Sequence, residues 1–177
     1  MLLNSSNIVP YWLRRCGKEH INCFSARPEW LQTRLIDIGD AHEGASARII
    51  HTEGLVPEHH SYLTSNHDTL PDKSTFLTKA TLEKSYDQLR LHELPKLFQL
   101  VIQATKLFKF RYPWIQQLCV IQELVEDMAS GQLDHGRIYG NSRITITATS
   151  LQFMYEVLKG NCRRKPRKAS TLNSIHD

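Results

Sequence analysis

Residues 94–109 constrain the fold more than any other stretch of this chain. Leu94, Leu97, Phe98, Val101, Ile102 and Phe108 fall near i, i+3, i+4, i+7, i+8 and i+14, with Leu107 close by. Gln99, Gln103, Lys106 and Lys109 fall on the other side. This spacing predicts an amphipathic helix that buries one stripe against a core. Pro95 sits in its first turn, where a missing N–H costs little. Burying six such side chains contributes on the order of 1.5–3 kcal/mol each, before the entropy of ordering is subtracted. The helix runs straight into residues 112–121 (YPWIQQLCVI), which are strand-compatible and mostly of buried types. A helix feeding a strand in this way is the unit of an α/β fold. Pro113 cannot donate to a sheet ladder and suits an edge strand or a first strand residue.

The other elements arrange themselves around that unit. Residues 11–23 open with a short helix, and 24–33 read as an extended connector carrying Pro28 and Trp30. Arg34–Ile38 is an apolar run ended by Gly39 and Asp40, a strand and turn. Ala47–Thr52 is a second strand, expected to pair with the first across the polar loop 39–46. Tyr62–Thr64 is a weak strand, and Thr78 or Lys79 opens a helix. Residues 122–137 form a helix interrupted by Gly131. Residues 143–148 alternate Ile144 and Ile146 with Thr145 and Thr147, a strand with β-branched residues on both faces. Leu151–Lys159 is a last short helix, with Gly160 at its end. The expected organisation is a helix and connector over 1–29, one α/β domain over 30–159, and a basic, disordered tail over 160–177.

A chain of 177 residues suits one such domain, large enough to bury a core without disulfides or metal. No apolar run reaches 18 residues, so no membrane span is expected, and the N-terminus lacks the pattern of a signal peptide. Cys16, Cys23, Cys119 and Cys162 are then read as reduced thiols of a cytoplasmic or nuclear protein. Of 22 basic and 18 acidic residues, six basic and one acidic fall from Lys159 onward. The body is therefore near neutral, which argues against nucleic-acid binding except through Arg163, Arg164, Lys165, Arg167 and Lys168. That run has the composition of a nuclear signal or phosphate-binding patch, weighed against a merely solubilising tail.

Other clusters carry chemistry only weakly. Cys16, His20 and Cys23 are zinc-ligand types, but they are three and no second pair lies nearby, so no metal is expected. His59, His60 and His67 with Asp68 read as solvated loop residues. Cys119 as a nucleophile would need a base, and none is visible in the sequence.

Three stretches together resemble one family. Trp30–Gly39 (WLQTRLIDIG) is similar to the "W-x-P-T-R-L-I-D-V-G" stretch of fungal heterokaryon-incompatibility (HET) domains. Leu94-Pro95-Lys96-x-Phe98 followed by Arg111–Gln122 (RYPWIQQLCVIQ) resembles "L-P-K-T-F … R-Y-L-W-I-D-x-L-C-I-I-Q". Ile138–Thr149 (IYGNSRITITAT) resembles "V-Y-x-N-A-x-L-T-I-A-A-T". The lead-in Trp12-Leu13-x-x-Cys16, with His20 and Cys23, matches too. Order and spacing hold from about residue 11 to 150, and three stretches in order are specific. The motif residues so marked are Arg34, Asp37, Pro95, Trp114, Gln116, Cys119, Gln122, Tyr139 and Asn141.

The resemblance implies a role in fungal non-self recognition and cell death, with other incompatibility proteins as partners. HET domains are held to be remote relatives of TIR domains. The implied fold is then one TIR-like (flavodoxin-like) domain with a small, mainly parallel sheet flanked by helices, and NAD becomes a conceivable substrate rather than a cofactor. Fold analogy alone does not supply chemistry. Departures from the pattern decide the expectation. The family's Asp is Gln116 here, at the carboxyl end of a strand, where open α/β sheets gather ligands. An amide cannot take the proton that a carboxylate can. "Y-x-x-L-S-H-C-W-G" is replaced by Tyr62–Thr69 without Trp or Gly, and "D-W-x-x-E" by Asp127–Gly131. No acid is therefore expected beside Trp114, and the expected function is a catalytically impaired interaction or regulatory module. Two alternatives stay open: a working NAD-cleaving enzyme using Glu123, Glu126 or Asp127, and the product of a decayed or mispredicted gene. The plain reading of Asp37 is a turn cap before Gly39, and that of the three acids is a solvated helix start.

Overall fold

The computed structural model describes residues 5–19, 30–39, 47–67 and 74–148. At its centre lies β3 (Tyr62–His67), hydrogen-bonded in parallel to β4 (Tyr112–Trp114) on one side and β5 (Ile144–Ala148) on the other. Thr64 stands level with Trp114 and Thr145. The strand that comes first in the sequence thus takes the middle, as in doubly wound α/β sheets. β3 looked weak in sequence because its centre is polar, yet Thr64 and Ser65 are buried. Thr64 is satisfied laterally, with its hydroxyl 2.9 Å from that of Thr145 and 3.2 Å from that of Ser142. Buried polar groups are tolerated when they find such partners.

A separate antiparallel pair joins β1 (Arg34–Asp37) to β2 (Arg48–His51), with Ile36 level with Ile49. This is the pairing expected from the two apolar runs. The Ile38 N–H donates to the Arg111 carbonyl at 3.2 Å, so the end of β1 is tied to the residue just before β4.

The helices are α1 (Ser5–Glu19), α2 (Lys79–Asp87), α3 (Lys96–Leu107), α4 (Gln116–Cys119), α5 (Val125–Leu133) and α6 (His135–Asn141). Thr78 caps α2 in a reciprocal box with Thr81. α3 follows the predicted stripe but exceeds it. Leu100, Ala104 and Thr105 are buried besides Leu97, Phe98, Val101 and Ile102. Thr105 can be buried because its hydroxyl donates to the Val101 carbonyl at 2.8 Å. Pro95 stands at the N-cap, one residue before the first turn. The core joins α3 to both sheets through Phe98, Leu100 and Ile102, Leu35 and Ile36, and Tyr62 and Trp114, all fully buried.

Several element boundaries differ from those expected. The strand expected over 112–121 ends at Trp114, as Pro113 on an edge strand permits. The chain then coils into α4, where the Leu118 and Cys119 N–H groups both donate to the Ile115 carbonyl at 2.9 Å. Gln, Gln and Leu are all better helix than strand formers. The helix over 122–137 begins at Val125 and breaks at Asp134, while Gly131 lies inside α5. The first helix begins at Ser5, ahead of the predicted Tyr11, and is described to Glu19. The helix expected over Leu151–Lys159 and the tail over 160–177 lie outside the described residues. Within them the architecture is α/β, with a small parallel sheet flanked by helices.

α3 ends in a strained but useful turn. Lys109 has φ 63°, and the Phe110 N–H reaches back to the Thr105 carbonyl at 3.0 Å. A left-handed residue closing a helix in this way is usually glycine, because a Cβ there costs roughly 1 kcal/mol or more. Lys109→Gly is therefore expected to stabilise the fold by about 1 kcal/mol, raising Tm by roughly 2–4 °C for a chain of this size. A thermal melt of the variant beside the parent checks it, and an unchanged or lower Tm would contradict it.

Candidate functional site

The motif residues at both ends of β1 form ion pairs with distant parts of the chain. Arg34 is buried at the start of the strand. Its Nε donates to the Cys119 carbonyl at 2.8 Å, and its terminal nitrogen is paired with Asp127 Oδ2. The same oxygen accepts from the Ile121 N–H at 2.5 Å. The sequence offers Asp127 both as a catalytic acid and as a solvated helix residue; the structure makes it the partner of a buried guanidinium, with 16% of its side chain exposed.

At the other end of β1, Asp37 takes a two-pronged bond from Arg111, at 2.7 and 2.9 Å, and its Oδ1 caps the Gly39 N–H at 3.0 Å. The turn cap read from the sequence is present, and the larger bond was missed. Burial would push the Asp37 carboxyl upward, but Arg111, the Gly39 N–H and the nearby Arg48 outweigh it and hold the carboxyl below its ordinary value.

Beside the Arg34–Asp127 pair lies a hollow of about 20 Å3 against Trp114, lined also by Trp30, Gln32, Asp134 and Ile138. That is room for about one water molecule. The expectation that no carboxylate lies beside Trp114 is wrong, since two acids line the hollow. The charge of one is matched by Arg34; Asp134, which precedes α6, has no side-chain hydrogen bond at the helix start. The Gln32 amide is buried with neither of its atoms hydrogen-bonded. The rings of His135 and Tyr139 stand nearly perpendicular to that of Trp114, with centroids 6.4 and 6.1 Å away, and His135 Nε2 is buried without a partner. Tyr139 reaches the Ser65 carbonyl at 3.4 Å, and burial raises its phenol.

The remaining candidates fall into structural places. Gln116 begins α4 just beyond the carboxyl end of β4, as expected, but does not line the hollow. Cys119 is buried, and burial pushes its thiol up to about 12, which leaves almost no thiolate at neutral pH. Glu123 lies before α5 and accepts the Lys79 N–H at 3.2 Å, at the positive end of α2. Glu126 is exposed in the first turn of α5. The Gln122 side chain donates to the Val120 carbonyl, and that of Asn141 to the Arg137 carbonyl. No group of three metal-ligand side chains occurs among the described residues. His60 packs on Tyr112 with ring centroids 5.3 Å apart. His20, Cys23 and Asp68 lie outside the described residues, as does the basic run Arg163–Lys168. Among the described residues no helix is long and apolar enough to cross a membrane.

Sequence reasoning missed Gln32, Asp134 and His135, which no pattern marks. Arg111 could have been found, because it and Asp37 are opposite charges in two stretches that the resemblance treats together.

The clamps make two predictions. Removing one member of a buried pair leaves the other charged and unmatched, so Arg34→Met is expected to cost roughly 3–5 kcal/mol in urea unfolding. Adding Asp127→Leu should recover part of that loss; a double variant no better than the single one would refute the pairing. The Asp37 carboxyl sits lower folded than unfolded. Its contribution is complete above its ordinary value of 3.8 and is lost as pH falls through the folded value. Asp37→Asn should therefore flatten the loss of stability below about pH 4, read as the denaturant midpoint against pH.

Neither a curated protein nor a solved structure matches the chain significantly. The model of the family described as heterokaryon incompatibility protein (HET) matches residues 60–175. This span contains β3, Arg111, Trp114, Asp127 and β5. The stretch from Trp30 to Gly39 precedes the match but is clamped to it through Arg34 and Asp37. The chain belongs to the heterokaryon incompatibility (HET) family.

Proposed function

We propose that this protein acts in fungal non-self recognition as an interaction or regulatory module and not as an enzyme. The observation that carries this reading is the hollow beside Trp114, which has room for about one water molecule and in which the Asp127 charge is matched by Arg34. A catalytic carboxylate must be free to exchange a proton with, or stabilise charge on, a bound substrate. Asp127 is committed to Arg34 and the Ile121 N–H, Glu123 to the start of α2, and the Cys119 thiol stays protonated. Gln116 adds no charge. Its partners would be other incompatibility proteins, met in the cytoplasm, or in the nucleus if Arg163–Lys168 acts as a signal. The mutual satisfaction of the buried ion pairs favours a folded module over the product of a decayed gene.

A second reading, NAD cleavage in the manner of TIR domains, gains support from two observations. The central position of β3 is that of a doubly wound sheet, and Asp134 and His135 stand next to Trp114. Incubation of the purified full chain with NAD at neutral pH separates the two. The expected result is loss of NAD no faster than with Trp114→Ala. Turnover well above that control, abolished by Asp134→Asn in a protein that still melts cooperatively, would replace the first reading with the second.

A further inference from the structure

A larger cleft of about 440 Å3 lies away from Trp114, between α2 and the segment 88–94. That volume is in the range of small-molecule sites. Its floor is apolar, with Ile49, Phe76, Leu77, Leu89, Leu94 and Leu118 all lining it. Backbone bonds fix the walls. The Leu77 N–H donates to the Gln117 carbonyl at 2.8 Å, and the Leu89 N–H to the Ala47 carbonyl at 2.6 Å.

α2 borders this floor with polar side chains. α2 lines the cleft with Thr81, Lys84 and Ser85, three and four residues apart, and Gln88 follows at its C-cap. These positions share one face of a helix. A helix over an apolar floor normally turns apolar residues toward it. Leu82 and Tyr86 of α2 follow that rule and pack against the core, whereas its polar face borders the cleft, and Thr75 Oγ1 in the wall is buried without a partner. The charges narrow the choice. Arg90 and Glu93 neutralise each other at 3.1 Å, whereas Lys84 and Asp87 form no ion pair among the described residues. Asp87 also stands in the last turn of α2, where the helix dipole disfavours an acid, so helix stability does not account for it.

Each simple ligand class leaves something unmatched. An anion would face Asp87, and a cation would face Lys84. A wholly apolar molecule would strip water from both without replacing it. A ligand with one charge of each sign beside an apolar body matches all three features. We propose that this cleft binds a free amino acid with an apolar side chain. Its carboxylate lies toward Lys84, its ammonium toward Asp87, and its side chain on the floor formed by Leu89, Leu94 and Leu118. The assignment is independent of the hollow beside Trp114 and of whether NAD is cleaved.

Titration of the full chain with L-leucine, followed by amide NMR shifts, tests it. Saturable binding near the millimolar range is expected for a ligand of this size, with shifts at Leu77, Ser85 and Leu89. N-acetylleucine lacks the ammonium and leucinamide lacks the carboxylate, so each should bind roughly tenfold more weakly. Lys84→Gln should weaken leucine and leave leucinamide unchanged; Asp87→Asn should weaken leucine and leave N-acetylleucine unchanged. Both side chains are exposed, so both variants are expected to keep the parent's melting curve. Absence of saturable shifts, shifts away from the cleft, or equal affinity for all three probes would overturn the assignment.

Discussion

A guanidinium with 7% of its side chain exposed, at the start of a four-residue strand, sets the terms for the rest of this structure. Taking Arg34 out of water costs several kcal/mol unless its N–H groups and its charge are matched. The match comes from the far side of the chain: the Cys119 carbonyl at the end of α4 and the Asp127 carboxylate in the first turn of α5. Asp127 is held in turn by the Ile121 N–H. The turn from α4 into α5 and the start of β1 therefore depend on one another. At the other end of the strand the signs reverse, and Asp37 is clamped by Arg111 just before β4. A two-stranded ribbon is marginal in isolation. β1 and β2 persist because β1 is pinned at both ends to the segments before and after β4, and because Leu35 and Ile36 complete the core.

The same clamps shape the space beside Trp114. Arg34 and Asp127 border a hollow of about 20 Å3 at Trp114, the last residue of β4. The ion pair between them holds β1 in place. Trp114, His135 and Tyr139 form a mutually edge-on aromatic cluster against it, a geometry that favours packing. Among the described residues Asp134, the Gln32 amide and the buried Nε2 of His135 have no such partner, and on Asp134 and His135 the second functional reading stands.

Much of the fold was legible because its signals are local. The stripe from Leu94 to Ile102, the alternation from Ile144 to Thr147 and the apolar runs of β1 and β2 each declare their period within a few residues. β3 was harder to read, because Thr64 is buried only by virtue of Thr145 and Ser142, about eighty residues away. The overlong strand at 112–121 shows the opposite fault. Buried residue types cannot say whether they are buried in a strand or in one turn of helix, and only the Ile115 carbonyl, with two N–H groups converging on it, decides. At the site, sequence marked the right residues and misread their work. Arg34, Asp37 and Cys119 are motif positions, yet their partners lie 74 to 93 positions away, beyond any local pattern.

Those partnerships also bear on where specificity can lie. A motif residue that holds the architecture together is constrained by its partner and has little freedom to vary with a ligand. Arg34 cannot change without stranding Asp127, and a change at Asp37 removes the two-pronged bond to Arg111. The groups free of such obligations are found elsewhere. Lys84 and Asp87 on α2 face a cleft whose walls are fixed by backbone bonds to Gln117 and Ala47, not by side-chain charges. Substitution there alters what the cleft can hold while leaving the clamps intact. In this chain the α2 cleft combines volume, an apolar floor and charges that form no ion pair among the described residues.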